Sequence, residues 1–257
     1  MDMSAETSEA SVFDEFYATG LITNVLGALK PGKEATVYVC EAHPNTGAEY
    51  FAAKVYRERI YRSFRNDAVY QEGRVIRDAR LRRAWENKSE TGREVQFERW
   101  TGHEFATLAK VHAAGADVPR PISRVGPAIL MEYIGDGEES APLLKSVRPG
   151  PEEAPALFSR ILHNVEVFLS CGCVHADLSP FNILYWQGGV KIIDLPQSVL
   201  TWIGGEPNQN AHHLLTRDVV NICHYFERHG VEADATSLTE QLWEEYVLPA
   251  AMRGVER

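Results

Sequence analysis

Apolar and polar positions alternate from Ala35 to Cys40, with β-branched Thr36, Val37 and Val39 among them. This pattern predicts a strand. Tyr50–Tyr56 has the same character, and His43–Gly47, rich in turn formers, separates the two. Leu21–Leu29 is apolar and reads as an earlier strand, joined to Ala35 through a turn over Lys30–Glu34. An antiparallel sheet near the N-terminus follows. Residues 12–18 suit a short helix that Gly20 would end. From Phe97 to Ala113 the period changes to that of a helix, with Trp100, Glu104 and Leu108 on one face.

Further along, Pro119 and Pro121 open a connector, and Ala128–Ile134 reads as a strand. The stretch Gly135–Pro155 is rich in Gly, Pro and acids and is expected to contain a boundary between two lobes around a cleft. Pro155–Ser170 is a predicted helix stopped by Gly172, and Thr216–Arg228 and Ser237–Val247 are further helices. Ile183–Trp186 and Val190–Ile193 form a hairpin around Gln187, Gly188 and Gly189. The expected architecture is α+β and two-lobed. Residues 1–11 form a disordered start, 12–134 an N-lobe with a mobile arginine-rich insertion, and 135–257 a mostly helical C-lobe.

Composition is that of an ordinary globular chain, with 44% hydrophobic and 24% charged residues. No apolar run is long enough for a membrane span, and no signal peptide is visible, so a cytoplasmic location without membrane partners is expected. None of the four cysteines forms a Cys-x-x-Cys pair, which favours reduced structural thiols. A net charge of −10 argues against a generally nucleic-acid-binding surface. Arginines nevertheless crowd the segment Arg57–Arg83. That segment is either a solvated face or a docking surface for phosphate, RNA or an acidic partner.

The candidate chemistry is concentrated in His175, Asp177 and Asn182, followed by Asp194 after the hairpin. Folding the hairpin brings its ends together, so the oxygens of Asn182 and Asp194 can share one Mg²⁺, with Mn²⁺ as a substitute. Asp177, upstream in a polar loop, is free to orient a hydroxyl or water. His175 reads as a packed histidine that shapes the loop. Asp218 either braces that loop from a helix or is a helix-start acid. Glu104 sits among large apolar residues, where a carboxylate is costly unless paired, and Lys54 on the third strand is its natural partner. Gly27–Lys33 matches the start of a Walker A loop, but Glu34 stands where a Ser or Thr should bind Mg²⁺ and a strand follows instead of a helix. The turn can still cover phosphates in the manner of protein kinases.

These residues resemble a RIO-type atypical serine/threonine protein kinase, closest to the type 1 branch. The similarity runs from about Phe13 to Tyr225. Gly32–Tyr38 and Ile193–Ser198 are its most specific segments. The resemblance implies that Lys54 holds ATP phosphates and pairs with Glu104. It implies that Gly32, Lys33, Glu34, Ala35 and Thr36 cover the phosphates. Met131 would border the adenine, which the backbone of Glu132 and Ile134 would bond. Val37, Leu184 and Ile193 would sandwich the base. Asn182 and Asp194 would hold the metal, Asp177 would be the catalytic aspartate, and Asp194 is also a candidate phosphoryl acceptor.

Several features depart from ordinary protein kinases. Asp-Phe-Gly and Ala-Pro-Glu are missing, so the activation and peptide-docking segments are expected to be reduced. Ala176 stands where many kinases carry Arg. Lys30 and Pro31 replace the small hydroxyl residue usual in the family before Gly32.

Function classes therefore rank as follows. A serine/threonine kinase that autophosphorylates comes first. An ATPase switch with an aspartyl-phosphate, acting on a ribosomal particle, comes next. Small-molecule phosphotransfer and a nucleotide-binding scaffold come after. No protein substrate can be named, and the Arg57–Arg83 segment is the candidate contact for RNA or a ribosomal particle.

Overall fold

The computed structural model describes residues 12–32, 34–57, 90–137 and 139–248. It gives an α+β chain with two compact units. In the first, β1 (Ile22–Pro31), β2 (Ala35–Ala42), β3 (Tyr50–Tyr56), β4 (Pro121–Val125) and β5 (Ala128–Glu132) form one antiparallel sheet in the order β1-β2-β3-β5-β4. The predicted strand Tyr50–Tyr56 has the observed bounds. The connector expected after Pro119 is instead a strand, β4, whose mostly half-buried residues show no clean alternation. Its pairing with β5 stabilises it where its own pattern does not.

Helix α1 (residues 12–18) buries Val12 and Phe16 against Ile22, Cys40, Phe51, Ala53, Val55 and Leu130. Gly20 follows in the left-handed region at φ 64°. At the β1–β2 turn, the Gly32 N–H donates to the Ala35 carbonyl at 2.9 Å. A Cβ on Gly32 would lie 2.8 Å from that oxygen, so the turn needs glycine there.

Helix α2 (Glu90–Ala113) begins earlier than its apolar period suggested. Its residues up to Ala106 group with the sheet. The second unit takes Thr107–Val118 and the chain from Ala141 onward. Helix α3 (Glu153–Ser170) buries Leu157, Ile161, Val165, Phe168 and Leu169 on one stripe. Short strands β6 (Cys173–Val174), β7 (Ile183–Trp186), β8 (Gly189–Ile192), β9 (Val199–Leu200), β10 (Trp202–Ile203) and β11 (Glu206–Pro207) follow. The β7–β8 hairpin was anticipated. The pairs β6–β9 and β10–β11 were not, because two-residue strands are shorter than any readable period.

Helix α4 (Gln209–Glu227) starts well before the expected Thr216. Asn208 caps it by accepting the Asn210 N–H, a cap signal upstream of the apolar stripe. Helix α5 (Ala235–Tyr246) is capped by Asp234. All four cysteines are free and buried, and burial pushes the Cys40 and Cys173 thiols up to about 12, as suits structural thiols. Among the described residues no helix is long and apolar enough to cross a membrane.

Candidate active site

In the first unit, the pairing Lys54↔Val37 aligns β3 with β2, and the Lys54 ammonium lies 2.7 Å from Glu104 Oε1. Both side chains are nearly buried, at 11% and 4% exposure. Tyr56, on the same face of β3, donates its hydroxyl to Glu104 Oε2, and its ring lies 4.9 Å below the Lys54 ammonium. The expected ion pair is therefore a buried triad. Tyr56 was missed, although its spacing of two from Lys54 on a strand was the available signal. A buried carboxylate satisfied by both a cation and a hydroxyl avoids the penalty of an unpaired charge.

Around the β1–β2 turn, Thr36 is buried and its hydroxyl accepts from the Arg57 guanidinium at 3.0 Å, while the Arg57 N–H donates to the Glu34 carbonyl at 2.9 Å. Ala35 packs with Tyr56, Ile129, Phe105 and Met131. Glu132 ends β5, and Ile134 is buried beyond it. Val37 is half-buried on β2. Lys33 and the segment after Arg57 up to residue 89 lie outside the described residues.

In the second unit, Ile183 pairs with Ile192 across the hairpin, and the Ile193 N–H donates to the Asn182 carbonyl at 2.9 Å. Register alone thus sets Asn182 beside the residue preceding Asp194. Leu184 is half-buried on β7, and Ile193 is half-buried just past β8. Asn182 Nδ2 also donates to Asp177, to its carbonyl at 2.9 Å and to Oδ2 at 3.0 Å. Asp177 and Asn182 are therefore drawn together, and Asp194 follows directly on the Ile193 that Asn182 holds. An amide oxygen and a carboxylate are the hard oxygen donors that Mg²⁺ takes, so this donor set fits the metal.

The loop holding Asp177 is braced from behind. His175 is buried, its Nδ1 accepts the Asp177 N–H at 3.2 Å, and its Nε2 then carries the proton toward the Ile193 carbonyl at 3.1 Å. Asp218 on α4 accepts the Ala176 N–H at 2.7 Å and the Leu178 N–H at 2.9 Å, so it is the brace rather than a helix-start acid. Burial pushes its carboxyl up to about 8, against the pull of those two N–H groups and of Arg217. Arg217, unassigned from sequence, donates to the Ala176 carbonyl and stands 4.0 Å from Asp177 Oδ1. Its position next to Asp218 was the only signal. Ala176 and Asp194 both have positive φ, 65° and 72°. Such strain at non-glycine residues costs on the order of 1–2 kcal/mol each and persists where surrounding bonds over-determine it. At Ala176, both backbone polar groups are fixed by α4.

A RIO domain family model matches residues 36–239. The chain is 32% identical to the RIO-type serine/threonine-protein kinase Rio1 of Haloferax volcanii, over 90% of this chain and 76% of that one. It is 33% identical to serine/threonine-protein kinase rio1 of Schizosaccharomyces pombe and 32% identical to human RIO1, spanning only 39% and 35% of their lengths. The solved Rio2 kinase–ADP/Mg²⁺–phosphoaspartate complex of Chaetomium thermophilum has the same fold, with a TM-score of 0.65 at 19% identity. That match covers 95% of this chain and 70% of the other.

Proposed function

This chain belongs to the RIO domain family, and on that premise we propose that it is an ATP- and Mg²⁺-dependent serine/threonine protein kinase able to phosphorylate itself. The carrying observation is the cluster in which Asn182 bonds Asp177 through its side chain and Ile193 through its backbone. Bound Mg-ATP would supply the phosphoryl group and neutralise its charge. Asp177, half-exposed, would orient the acceptor hydroxyl and take its proton. Asn182 and Asp194 would hold the metal. Lys54, kept in place by Glu104, would hold phosphates.

The same reading gives Gly32, Lys33, Glu34, Ala35 and Thr36 the cover over the phosphates. Val37, Met131, Glu132, Ile134, Leu184 and Ile193 would form the adenine site. It divides the chain into a nucleotide-holding part, 12–134, and a catalytic-loop part, 135–257, in the cytoplasm. A ribosomal particle or RNA reached through Arg57–Arg83 is its proposed larger partner.

A second reading is supported by the phosphoaspartate in the Rio2 complex. In it Asp194, exposed and in a left-handed backbone conformation, would accept the phosphoryl group itself, and hydrolysis would make the protein an ATPase switch. Labelling with γ-³²P ATP and Mg²⁺ decides between them. Protein-bound label that resists hydroxylamine means Ser/Thr phosphorylation. Label that hydroxylamine removes, with steady phosphate release, means an acyl-phosphate. Neither label nor released phosphate would defeat both.

A further inference from the structure

Residues 142–146 run alongside the catalytic loop and its strand. The Tyr185 N–H donates to the Pro142 carbonyl at 2.9 Å, Leu143 bridges Leu184, and the Lys145 N–H donates to the Pro180 carbonyl at 3.0 Å. Leu144 is fully buried, and the Tyr225 hydroxyl reaches the carbonyls of Leu144 and Val147 at 2.8 and 2.9 Å. The backbone of this segment is thus pinned on both sides, and Pro142, Lys145 and Ser146 face outward, with Lys145 its one charged side chain.

The Lys145 ammonium sits 4.4 Å from the ring centroid of Phe181. Phe181 is 61% exposed, although it immediately precedes Asn182. Its ring and the Lys145 ammonium together present one small patch with an apolar face and a positive charge beside the catalytic loop. Among the described residues neither Lys145 nor the nearby exposed Arg148 pairs with a carboxylate, although the chain as a whole carries a charge of −10. An acid-rich protein that leaves Lys145 without a carboxylate, over the ring of the residue that precedes Asn182, offers that cation to something negative.

We propose that Lys145 and Phe181 form the acceptor-side docking surface, and that it selects Ser/Thr peptides with acidic residues flanking the hydroxyl; this rests on the kinase reading above. A peptide carboxylate draws the Lys145 ammonium into an ion pair, and the Phe181 ring packs against the neighbouring peptide residue. Single-stranded RNA is the less favoured occupant. One ring already shared with an ammonium is a poor stacking platform for successive bases.

The test is fluorescence anisotropy with the full chain and two labelled Ser peptides, one flanked by Glu and the other by Lys. The acidic peptide is expected to bind about two- to fivefold more tightly, in keeping with an exposed ion pair. Lys145→Glu should reverse that preference, Lys145→Arg should keep it, and Phe181→Ala should weaken both peptides. Equal affinities, or a preference that Lys145→Glu leaves untouched, would overturn the inference. So would an RNA oligonucleotide whose binding Lys145→Glu abolishes while neither peptide binds. Peptide-free ATP turnover by the unaltered chain is measured alongside. Its absence would remove the kinase reading, while the affinity ratio would still decide the docking surface.

Discussion

Lys54 and Glu104, fifty residues apart in sequence, meet at 2.7 Å in a nearly dry site that the Tyr56 hydroxyl completes. A pair of this kind is more informative when one member is removed than when both are. Glu104→Leu leaves a buried ammonium without its carboxylate and is expected to destabilise the fold by about 3–5 kcal/mol. The double variant Lys54→Met/Glu104→Leu should recover much of that stability and still bind Mg-ATP poorly. Urea unfolding of the single and double variants, read with nucleotide affinity, checks this. Equal loss in both would mean that the pair adds nothing beyond packing.

Asp177 and Asp194 should separate binding from chemistry. Asp177→Asn keeps the hydrogen-bonding shape beside Asn182 but removes the proton acceptor. It is expected to lower phosphoryl transfer ~10²–10⁴-fold with nucleotide affinity nearly intact. Asp194→Asn should weaken Mg²⁺-dependent nucleotide binding as well. Single-turnover rates and titration calorimetry distinguish the two. An Asp177→Asn protein with normal rates would remove its assignment.

Asp218 gives a pH signature. Its folded carboxyl is raised to about 8 by burial, whereas an unfolded aspartate titrates near ~3.9. The folded state therefore holds the extra proton between those values. The contribution of this group to stability is full below the lower value and is lost as pH rises toward the upper. Wild type minus Asp218→Asn, followed by urea midpoint from pH 4 to 9, should show that decline. The variant should also lose about 1–3 kcal/mol outright, because the Ala176 and Leu178 N–H groups bond different carboxyl oxygens and in Asn one of those positions is an NH2 that can only donate.

Asp117 should behave oppositely. Burial alone would raise its carboxyl, but hydrogen bonds from Arg160 and Asn164, together with the Arg160 charge, hold it below the usual range. Its stabilisation is present above the unfolded aspartate value of ~3.9 and is lost as pH falls through the lower folded value. Arg160→Ala should thus be less stable than wild type at neutral pH, with the gap closing in acid. A gap that is constant with pH would assign the effect of Arg160 to packing alone.

Much of this protein was written locally. Strands β2 and β3, the β7–β8 hairpin and the stripe on α3 follow from periods of two or 3.6 residues, which neighbouring side chains impose on their own segment. The meeting of Asn182 with Ile193 was legible for the same reason, because a tight turn fixes register without help from elsewhere. Strand β4 and the two-residue pairs β6–β9 and β10–β11 were not legible, since cross-chain hydrogen bonds rather than their own pattern define them. The brace from Asp218, the guanidinium of Arg217 against the Ala176 carbonyl and the left-handed backbone of Ala176 were likewise decided only in three dimensions. An acid on a helix has many partners available to it in sequence. Only packing of α4 against the loop selects two N–H groups forty or more residues away, and those bonds, not the preference of alanine, hold the strained turn that presents Asp177.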